Sequence, residues 1–121
     1  MKTDYEMIMD IRKRPGLYFR RKSFNDLLHF SSGYEICLRN LQLIKGKETF
    51  SGFDEFVKAY YKDENMNISW PSIILTNSQS DEEAFDNFFR LHDLHLEAHP
   101  ELIEEEKARQ EKYHKISLKL D

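Results

Sequence analysis

The chain has 121 residues and a formal net charge of −4, which fits a single domain and disfavours a polyanion as its partner. Hydrophobic residues make up 40% of it, with nine Phe and six Tyr, and this excludes a disordered acidic chain. Four Gly and three Pro supply too little turn chemistry for a sandwich or barrel of short strands. We therefore expect one all-α domain over residues 1–121, a bundle of five or six helices.

The first predicted helix begins at Thr3, whose hydroxyl is a good N-cap, and Glu6 completes a capping box. Pro15-Gly16 ends it, because proline disfavours helical geometry in the residue before it and glycine permits a turn. The apolar residues 17–19 are expected to be extended or irregular and to anchor this turn to the core.

Ser23 begins the second helix, predicted to be the longest, with an apolar face to about Lys45 and a stop at Gly46. The small residues 31–33 weaken helix propensity but let another helix approach closely. We expect a helix crossing at this point, with a kink as the alternative.

Two shorter helices follow. The third covers Phe53 to about Tyr61, and the polar residues 62–67 after it form a loop. In "SWPSIILTN", Ser69 is a possible N-cap and Pro71 lies in the first turn, where its missing N–H costs nothing. The position of Pro71 favours a short buried helix over a strand.

Ser80 and the three acids after it predict a fifth helix to about Ala98. Pro100 begins a sixth, in which acids precede bases as the helix dipole favours. Residues 116–121 alternate like a strand without a predicted partner, and their structure stays open. We expect the bundle to pack around the second helix and the Phe-rich fifth.

Charge is distributed unevenly. Residues 1–46 have nine bases and five acids, residues 47–106 four and fifteen, and residues 107–121 five and two, so the nets are +4, −11 and +3. Such an acidic block attracts a basic partner and accelerates its association at low salt. The alternative is that these acids are the solvated backs of helices.

At about 100° per residue, the fifth helix has an aromatic side and a mostly acidic back. The aromatic side consists of Phe85, Phe88, Phe89, His92 and Leu96. We predict that a partner protein binds the acidic back together with the start of the third helix. The residues of this predicted surface are Asp54, Glu55, Glu83, Asp86, Asp93 and Glu97.

His92, His95 and His99 lie within a sector of about 60° on the fifth helix. Spacings of three and four can bring imidazoles to one metal ion. The three share the apolar face, however, and no fourth ligand accompanies them at a recognisable spacing. Histidines that pack and hydrogen-bond are therefore favoured over a metal site, and we expect no cofactor.

Sequence motifs for catalysis are absent. A glycine-rich phosphate loop, an HExxH motif and a nucleophile elbow do not occur. Cys37 occupies an apolar position of the second helix, where we expect a small hydrophobic residue rather than a reactive thiolate. The chain is thus not predicted to be an enzyme.

Compartment follows from cysteine use and hydropathy. A single cysteine cannot form an internal disulfide. The chain contains neither the roughly 20-residue apolar run of a membrane span nor, at its start, the apolar run of a signal peptide. We expect a soluble, unprocessed cytoplasmic protein with no membrane partner.

Residues 12–22, "RKRPGLYFRRK", place six bases around Tyr18 and Phe19. Basic residues interleaved with aromatic residues are typical of contacts with RNA. The chain would then be a regulatory module that binds RNA or another protein through residues 12–22. The competing interpretation is a connector whose bases extend into water or pair with the acidic middle of the chain.

Three ordered segments resemble a known group of proteins. They are "KRPGLYFRRKSFNDLLHFSSGYE" from Lys13 to Glu35, then "GFDEFV", then "SWPSIILTNSQSDEEAFDNFFRL". From Arg12 to Leu91 the chain is similar to small bacterial immunity proteins of contact-dependent growth inhibition and related toxin systems. Arg20 departs from the glycine that commonly follows the RPG-Y turn of this group.

The resemblance implies a cytoplasmic protein without chemistry of its own, which neutralises a delivered toxin by covering it. Many such toxins are basic nucleases, and an acidic binder suits them electrostatically. The shared motifs are turn, cap and packing residues, so none carries over as a functional residue.

Overall fold

Side-chain caps fix where the helices begin. Thr3 Oγ1 accepts a hydrogen bond from the N–H of Glu6 and Glu6 Oε1 accepts one from the N–H of Thr3, both at 3.1 Å, which is the predicted capping box. Ser23 and Ser80 each accept from the N–H three residues later. The three helix starts predicted from these caps are confirmed.

A computed structural model describes residues 1–43 and 48–116, and in these ranges the regular structure is all helical. The helices are α1 (Asp4–Lys13), α2 (Pro15–Tyr18), α3 (Phe24–Asn40), α4 (Phe53–Tyr61), α5 (Trp70–Thr76), α6 (Asp81–Ala98) and α7 (Pro100–His114). The all-α prediction is confirmed. Residues 117–121 of the tail lie outside the described residues.

Helix α6 lies at the centre, in contact with α3, α4, α5 and α7. Its buried side chains are Ala84, Phe85, Phe88, Phe89, Leu91, His92, His95 and Leu96. The predicted aromatic side is therefore buried, and burial extends beyond it because helices pack on more than one side of α6.

Aromatic rings from four segments fill the space beside α6. Phe53 of α4 lies edge-on to Trp70 of α5 with ring centroids 4.9 Å apart, and Phe50 stacks on His92 at 4.5 Å. Phe88 contacts all of these rings within 6.0 Å. Offset and edge-on contacts of this kind add to the free energy gained from burial alone.

The second predicted helix is shorter and more peripheral than expected. Helix α3 ends at Asn40 rather than near Lys45, with 17 residues against 18 in α6, and the predicted stop at Gly46 lies outside the described residues. In the second half of α3, Ile36 is 61% exposed and Cys37 is also exposed. The prediction that Cys37 is a small core residue is wrong, since Cys37 lies on the exposed side of α3 while the adjacent Leu38 is buried.

The connector after α1 contains a short extra helix. Residues 17–19 were expected to be extended and buried, yet Pro15–Tyr18 forms one helical turn closed by a hydrogen bond from Phe19 N–H to Pro15 O at 2.7 Å. Proline fits the first position of a helix, which allows this turn. Leu17 is 70% exposed, so the turn is not anchored by Leu17.

Helices α1 and α3 do cross near residues 31–34, but not at a glycine. Ser31 Oγ–H donates to Asp4 at 3.4 Å, and Tyr34 O–H donates to the carbonyl of Lys2. A Cβ atom on Gly33 would meet nothing within 4 Å. The contact expected at residues 31–33 is therefore polar and involves Ser31, whereas Gly33 takes no close part in it.

Two carboxylates tie helix starts to neighbouring helices. Asp81 of α6 accepts from Ser23 Oγ–H at 2.5 Å and from the N–H of Asn25 at 2.9 Å, which holds α3 against α6. Asp54 of α4 accepts from the N–H of Trp70 at 2.9 Å, so α5 is capped by this carboxylate, although Ser69 holds the N-cap position.

No helix in the described ranges is both long and apolar enough to cross a membrane.

Truncation of Phe53 tests the aromatic core. Phe53 has no exposed surface, so we expect Phe53→Ala to lower the free energy of unfolding by about 3–5 kcal/mol in urea denaturation followed by circular dichroism. Met66→Ala serves as the control, because Met66 is 90% exposed and its loss should change stability by less than about 0.5 kcal/mol. Equal midpoints for the two variants would contradict this packing.

Candidate functional site

Two acids on the back of α6 form ion pairs with basic residues of the same chain. Arg12 donates from both terminal nitrogens to the two carboxylate oxygens of Asp93, at 3.0 and 2.8 Å, and its guanidinium lies over the ring of Phe89. Lys22 forms an ion pair with Asp86 at 3.1 Å. Part of the basic stretch 12–22 thus pairs with the acidic middle of the chain, as expected if this stretch is a connector between helices.

Two further acids of the predicted surface have local structural roles. Asp54 forms an ion pair with Lys58 at 2.8 Å while it caps α5. Glu83 accepts from the N–H of Gln79 at 2.6 Å at the start of α6. These bonds occupy both carboxylates in the folded chain.

Glu55 on α4 and Glu97 on α6 are the remaining members of the predicted surface. Both are exposed, and neither takes part in an ion pair within residues 1–43 and 48–116. Their charges are therefore available to a partner. The six residues do not form one uniform acidic surface, because four of them are already bonded.

The histidines of α6 hold the loop before α4. His92 Nε2–H donates to the carbonyl of Thr49 at 3.3 Å and His95 Nε2–H donates to the carbonyl of Ser51 at 2.8 Å. Both side chains are buried, whereas His99 is exposed beside Glu101. No cluster of three possible metal ligands occurs in the part of the chain that the structure describes.

Burial favours the neutral form of these imidazoles. Loss of hydration lowers the pKa of His92 to about 4, although its bond to Thr49 opposes this, and burial likewise lowers the pKa of His95. Nδ1 of His95 has no hydrogen-bond partner among the described residues. The "HDLHLEAH" segment thus fixes residues 49–51 in place.

The loop held by these histidines borders a groove that we call the acidic groove. It has a volume of about 280 Å³ and lies between α1, α3 and α5. Its lining consists of Asp4, Ile8, Leu27, Leu28, Ser31, Ser32, Glu35, Glu48, Phe50, Trp70, Pro71 and Phe88. Leu27 and Glu35 are eight residues apart on α3, about 12 Å, so the lining changes along α3 from apolar to acidic.

Three carboxylates mark the acidic end of the groove: Asp4 of α1, Glu35 of α3 and Glu48 of the loop. Burial, then the charges of Glu48 and Glu35, raise the pKa of Asp4 to about 7, against the opposing hydrogen bond from Ser31. Burial and Glu35 also raise the pKa of Glu48. Carboxylates with pKa values shifted this way by burial and like charge are typical of binding and catalytic sites.

A fourth carboxylate behind the groove is fully satisfied. Glu106 of α7 is buried and accepts hydrogen bonds from Thr3 Oγ1–H at 2.8 Å, Arg109 at 3.0 Å and Gln110 at 2.8 Å. It fixes the start of α1 against α7. By contrast, neither Asp4 nor Glu48 forms an ion pair with any described residue.

Sequence patterns did not reveal the acidic groove. Its three carboxylates are separated by 31 and 13 positions in the chain, so no local spacing links them. The helical period places Asp4 only in the first turn of α1, where acids commonly complement the helix dipole. Only the packing of α1 on α3 and the loop held by His92 bring the three together.

Basic and apolar side chains are exposed together at α2. Leu17 is 70% and Tyr18 38% exposed, and Arg14, Arg20 and Arg21 around them are exposed as well. Tyr18 also makes an edge contact with Phe30. This end of the molecule therefore carries charge of the sign opposite to the acidic groove.

Comparisons of the chain with protein-family models, with curated proteins and with solved structures find no match. A function is therefore argued from the residues of this chain and their arrangement.

Replacement of Asp4 by asparagine tests the acidic groove through its pH dependence. The folded pKa of Asp4, about 7, lies above its ordinary value of 3.8, so the folded state holds a proton that the unfolded state loses. Stability from protonated Asp4 is thus fully present below about pH 4 and is lost as the pH rises through about 7. We expect the free energy of unfolding of Asp4→Asn, relative to the native chain, to rise between pH 4 and pH 7 and to level off above pH 8.

The difference in the free energy of unfolding between the two chains isolates Asp4, because His92 contributes equally to both and cancels. By itself, His92 changes stability with pH in the opposite direction. Neutral His92 stabilises the fold above about pH 6.5, and this stability is lost as the pH falls towards 4. Ser32→Ala removes a groove side chain that does not titrate and should give a pH profile parallel to the native chain. A parallel profile for Asp4→Asn as well would contradict the raised pKa.

Proposed function

We propose that this protein is a toxin-neutralising immunity protein that binds a basic bacterial toxin, with a nuclease as the expected class, and occludes it sterically. The observation that carries the proposal is the acidic excess of residues 47–106, net −11, which Arg12 and Lys22 neutralise only in part. The resemblance of residues 12–91 to immunity proteins supports the same conclusion independently of charge.

Electrostatic attraction supplies speed and selectivity in this mechanism. Exposed carboxylates such as Glu55 and Glu97 draw a basic surface towards the protein and disfavour nucleic acid, which is the toxin's own substrate when the toxin is a nuclease. Occlusion needs no reacting group, and the protein is accordingly proposed to act in the cytoplasm without a cofactor or catalysis.

A second candidate is a cytoplasmic regulatory module that binds another protein or RNA through residues 12–22. The exposure of Leu17 and Tyr18 beside Arg20 and Arg21 favours it, because apolar and aromatic groups among cations suit such contacts. The net acidity of the chain weighs against RNA.

Growth rescue tests the proposed function directly. An immunity gene is expected beside the gene of its toxin. The C-terminal domain of the large secreted protein that is encoded immediately upstream is therefore expressed in bacteria with and without this chain. We expect arrest of growth by that domain alone and recovery when both are present. Continued arrest, with both proteins detected in the cells, would contradict the immunity function.

Charge reversal separates the two candidates. Glu55→Lys with Glu97→Lys should slow association with the toxin domain about tenfold at low salt, and by much less at 1 M salt, where the Debye length is about 3 Å. Asp86 and Asp93 are unsuitable for this test, because their reversal also breaks the ion pairs with Lys22 and Arg12.

The matched control is Arg20→Glu with Arg21→Glu, which places equal and opposite charge changes on exposed positions. It should leave the association rate within about twofold of the native value or raise it, since the attraction comes from acids. Stopped-flow fluorescence measures both rates. A large loss from the arginine pair, with none from the glutamates, supports the regulatory module instead.

A further inference from the structure

The acidic groove contains two half-buried carboxylates, Asp4 and Glu48, that form no ion pair with a described residue, although the charges of Arg109 and Arg39 partly offset the rise in the pKa of Glu48. Asp4 receives hydrogen bonds from Ser31 at 3.4 Å, and no ion pair in the described ranges includes Asp4 or Glu48. Charges removed from water are normally paired. The buried Glu106 follows this rule through its ion pair with Arg109, whereas among the described residues Asp4 and Glu48 have no such pair.

The rest of the groove is apolar and aromatic. Trp70 of α5 is half-buried and stacks nearly parallel on Phe50, with an angle of 4° between the rings. Leu27 and Ile8 complete this part, which is lined without a basic side chain. A ligand that fits the whole groove therefore needs an apolar body and a positively charged end.

We infer that the acidic groove receives an arginine side chain of the partner protein. The guanidinium lies between Asp4 and Glu48, since Glu35 beside them already pairs with Arg39 at 2.7 Å, and the aliphatic stem lies against Trp70 and Leu27. This inference rests on the proposed function for the identity of the partner, but not for the chemistry of the site.

Arginine suits the groove better than lysine for two reasons. Its planar guanidinium presents five donors in a fork that matches carboxylates from several directions, whereas an ammonium is a compact point charge. Guanidinium is also more weakly hydrated and stacks on aromatic rings, so less hydration is lost beside Trp70.

The burial of the carboxylates favours such a ligand. A cation that enters the groove opposes the burial and the like charges that raise the pKa of Asp4 and Glu48, and it favours the ionised form of both. Glu106 does not compete for it, since Thr3, Arg109 and Gln110 already satisfy that carboxylate.

Binding of a capped arginine tests the inference without any toxin. Nα-acetyl-L-arginine amide is titrated into the ¹⁵N-labelled full chain at pH 8, and capped citrulline, which has the same shape without charge, serves as the matched ligand. We expect saturable shifts of the Trp70 indole N–H and of the amides around Asp4, Glu35 and Glu48. Equal shifts with citrulline, or shifts confined to other parts of the chain, overturn the inference.

Variants locate the site. Asp4→Asn with Glu48→Gln should weaken arginine binding about tenfold or more, because both substitutions remove a charged acceptor of hydrogen bonds from the guanidinium. Glu82→Gln, an exposed acid outside the groove, should leave the affinity within twofold. Because the double variant changes the start of α1, Glu48→Gln alone is a second test, with circular dichroism to verify its fold; Glu35→Gln is unsuitable, since it also breaks the ion pair with Arg39. Unchanged affinity in both groove variants overturns the inference.

The competing hypothesis is that a cation of this chain binds in the groove. Lys45 and Lys47 precede Glu48 in the sequence. If the native chain does not bind arginine and Lys45→Ser with Lys47→Ser does, the groove belongs to the chain's own lysines and the inference is wrong. Arginine binding to the native chain supports it.

Growth rescue and arginine binding fail independently. Rescue without arginine binding leaves the immunity function and removes the role of the groove. Arginine binding without rescue leaves the site and removes the immunity function.

Discussion

Eight side chains of α6 are buried, and four other helices must surround it to bury them. This constraint organises the molecule. It draws Phe53 and Trp70 into one aromatic cluster and forces His92 into a place where only the neutral imidazole is stable. The buried imidazoles then need hydrogen-bond partners, and His92 and His95 find them in the carbonyls of the loop before α4.

The same arrangement leads from the core to the surface. Because His92 and His95 hold Thr49 and Ser51, the adjacent Glu48 and Phe50 line the groove opposite α1 and α3. A motif that resembles a metal-binding pattern thus acts as a support for a loop. The acidic groove is a consequence of the packing of α6, although α6 contributes only Phe88 to its lining.

Some charged side chains form ion pairs within the chain, and, among the described residues, others remain exposed and unpaired. Arg12 and Lys22 of the basic stretch neutralise Asp93 and Asp86, which holds the connector against α6 and removes two acids from the surface. Exposed ion pairs of this kind contribute about 1 kcal/mol or less each, so they orient the connector more than they stabilise the fold. The charge left over is acidic at Glu55, Glu97 and the groove, and basic around Arg20 and Arg21. This polarity underlies both the proposed binding of a basic protein and its alternative.

Local signals determined most of the helical structure. Caps at Thr3, Ser23 and Ser80 predicted three helix starts, since a capping hydrogen bond joins residues three apart and is legible in a linear chain. The aromatic side of α6 was equally legible from its helical period. The end of α3 and the single turn α2 were missed, because propensity differences there are small and burial decides them: Ile36 and Cys37 in the second half of α3 are exposed, and Leu17 faces solvent.

The sequence by itself determined the fold class, the burial of α6 and the excess of acid in residues 47–106. Only the tertiary structure decided which of those acids are free, because an ion pair such as Arg12 with Asp93 joins residues 81 positions apart. It also decided that Asp4, Glu35 and Glu48 share one groove. Periodicity specifies which side of a helix is buried, whereas the neighbours of that side depend on how the helices pack, and no local pattern encodes those long-range contacts.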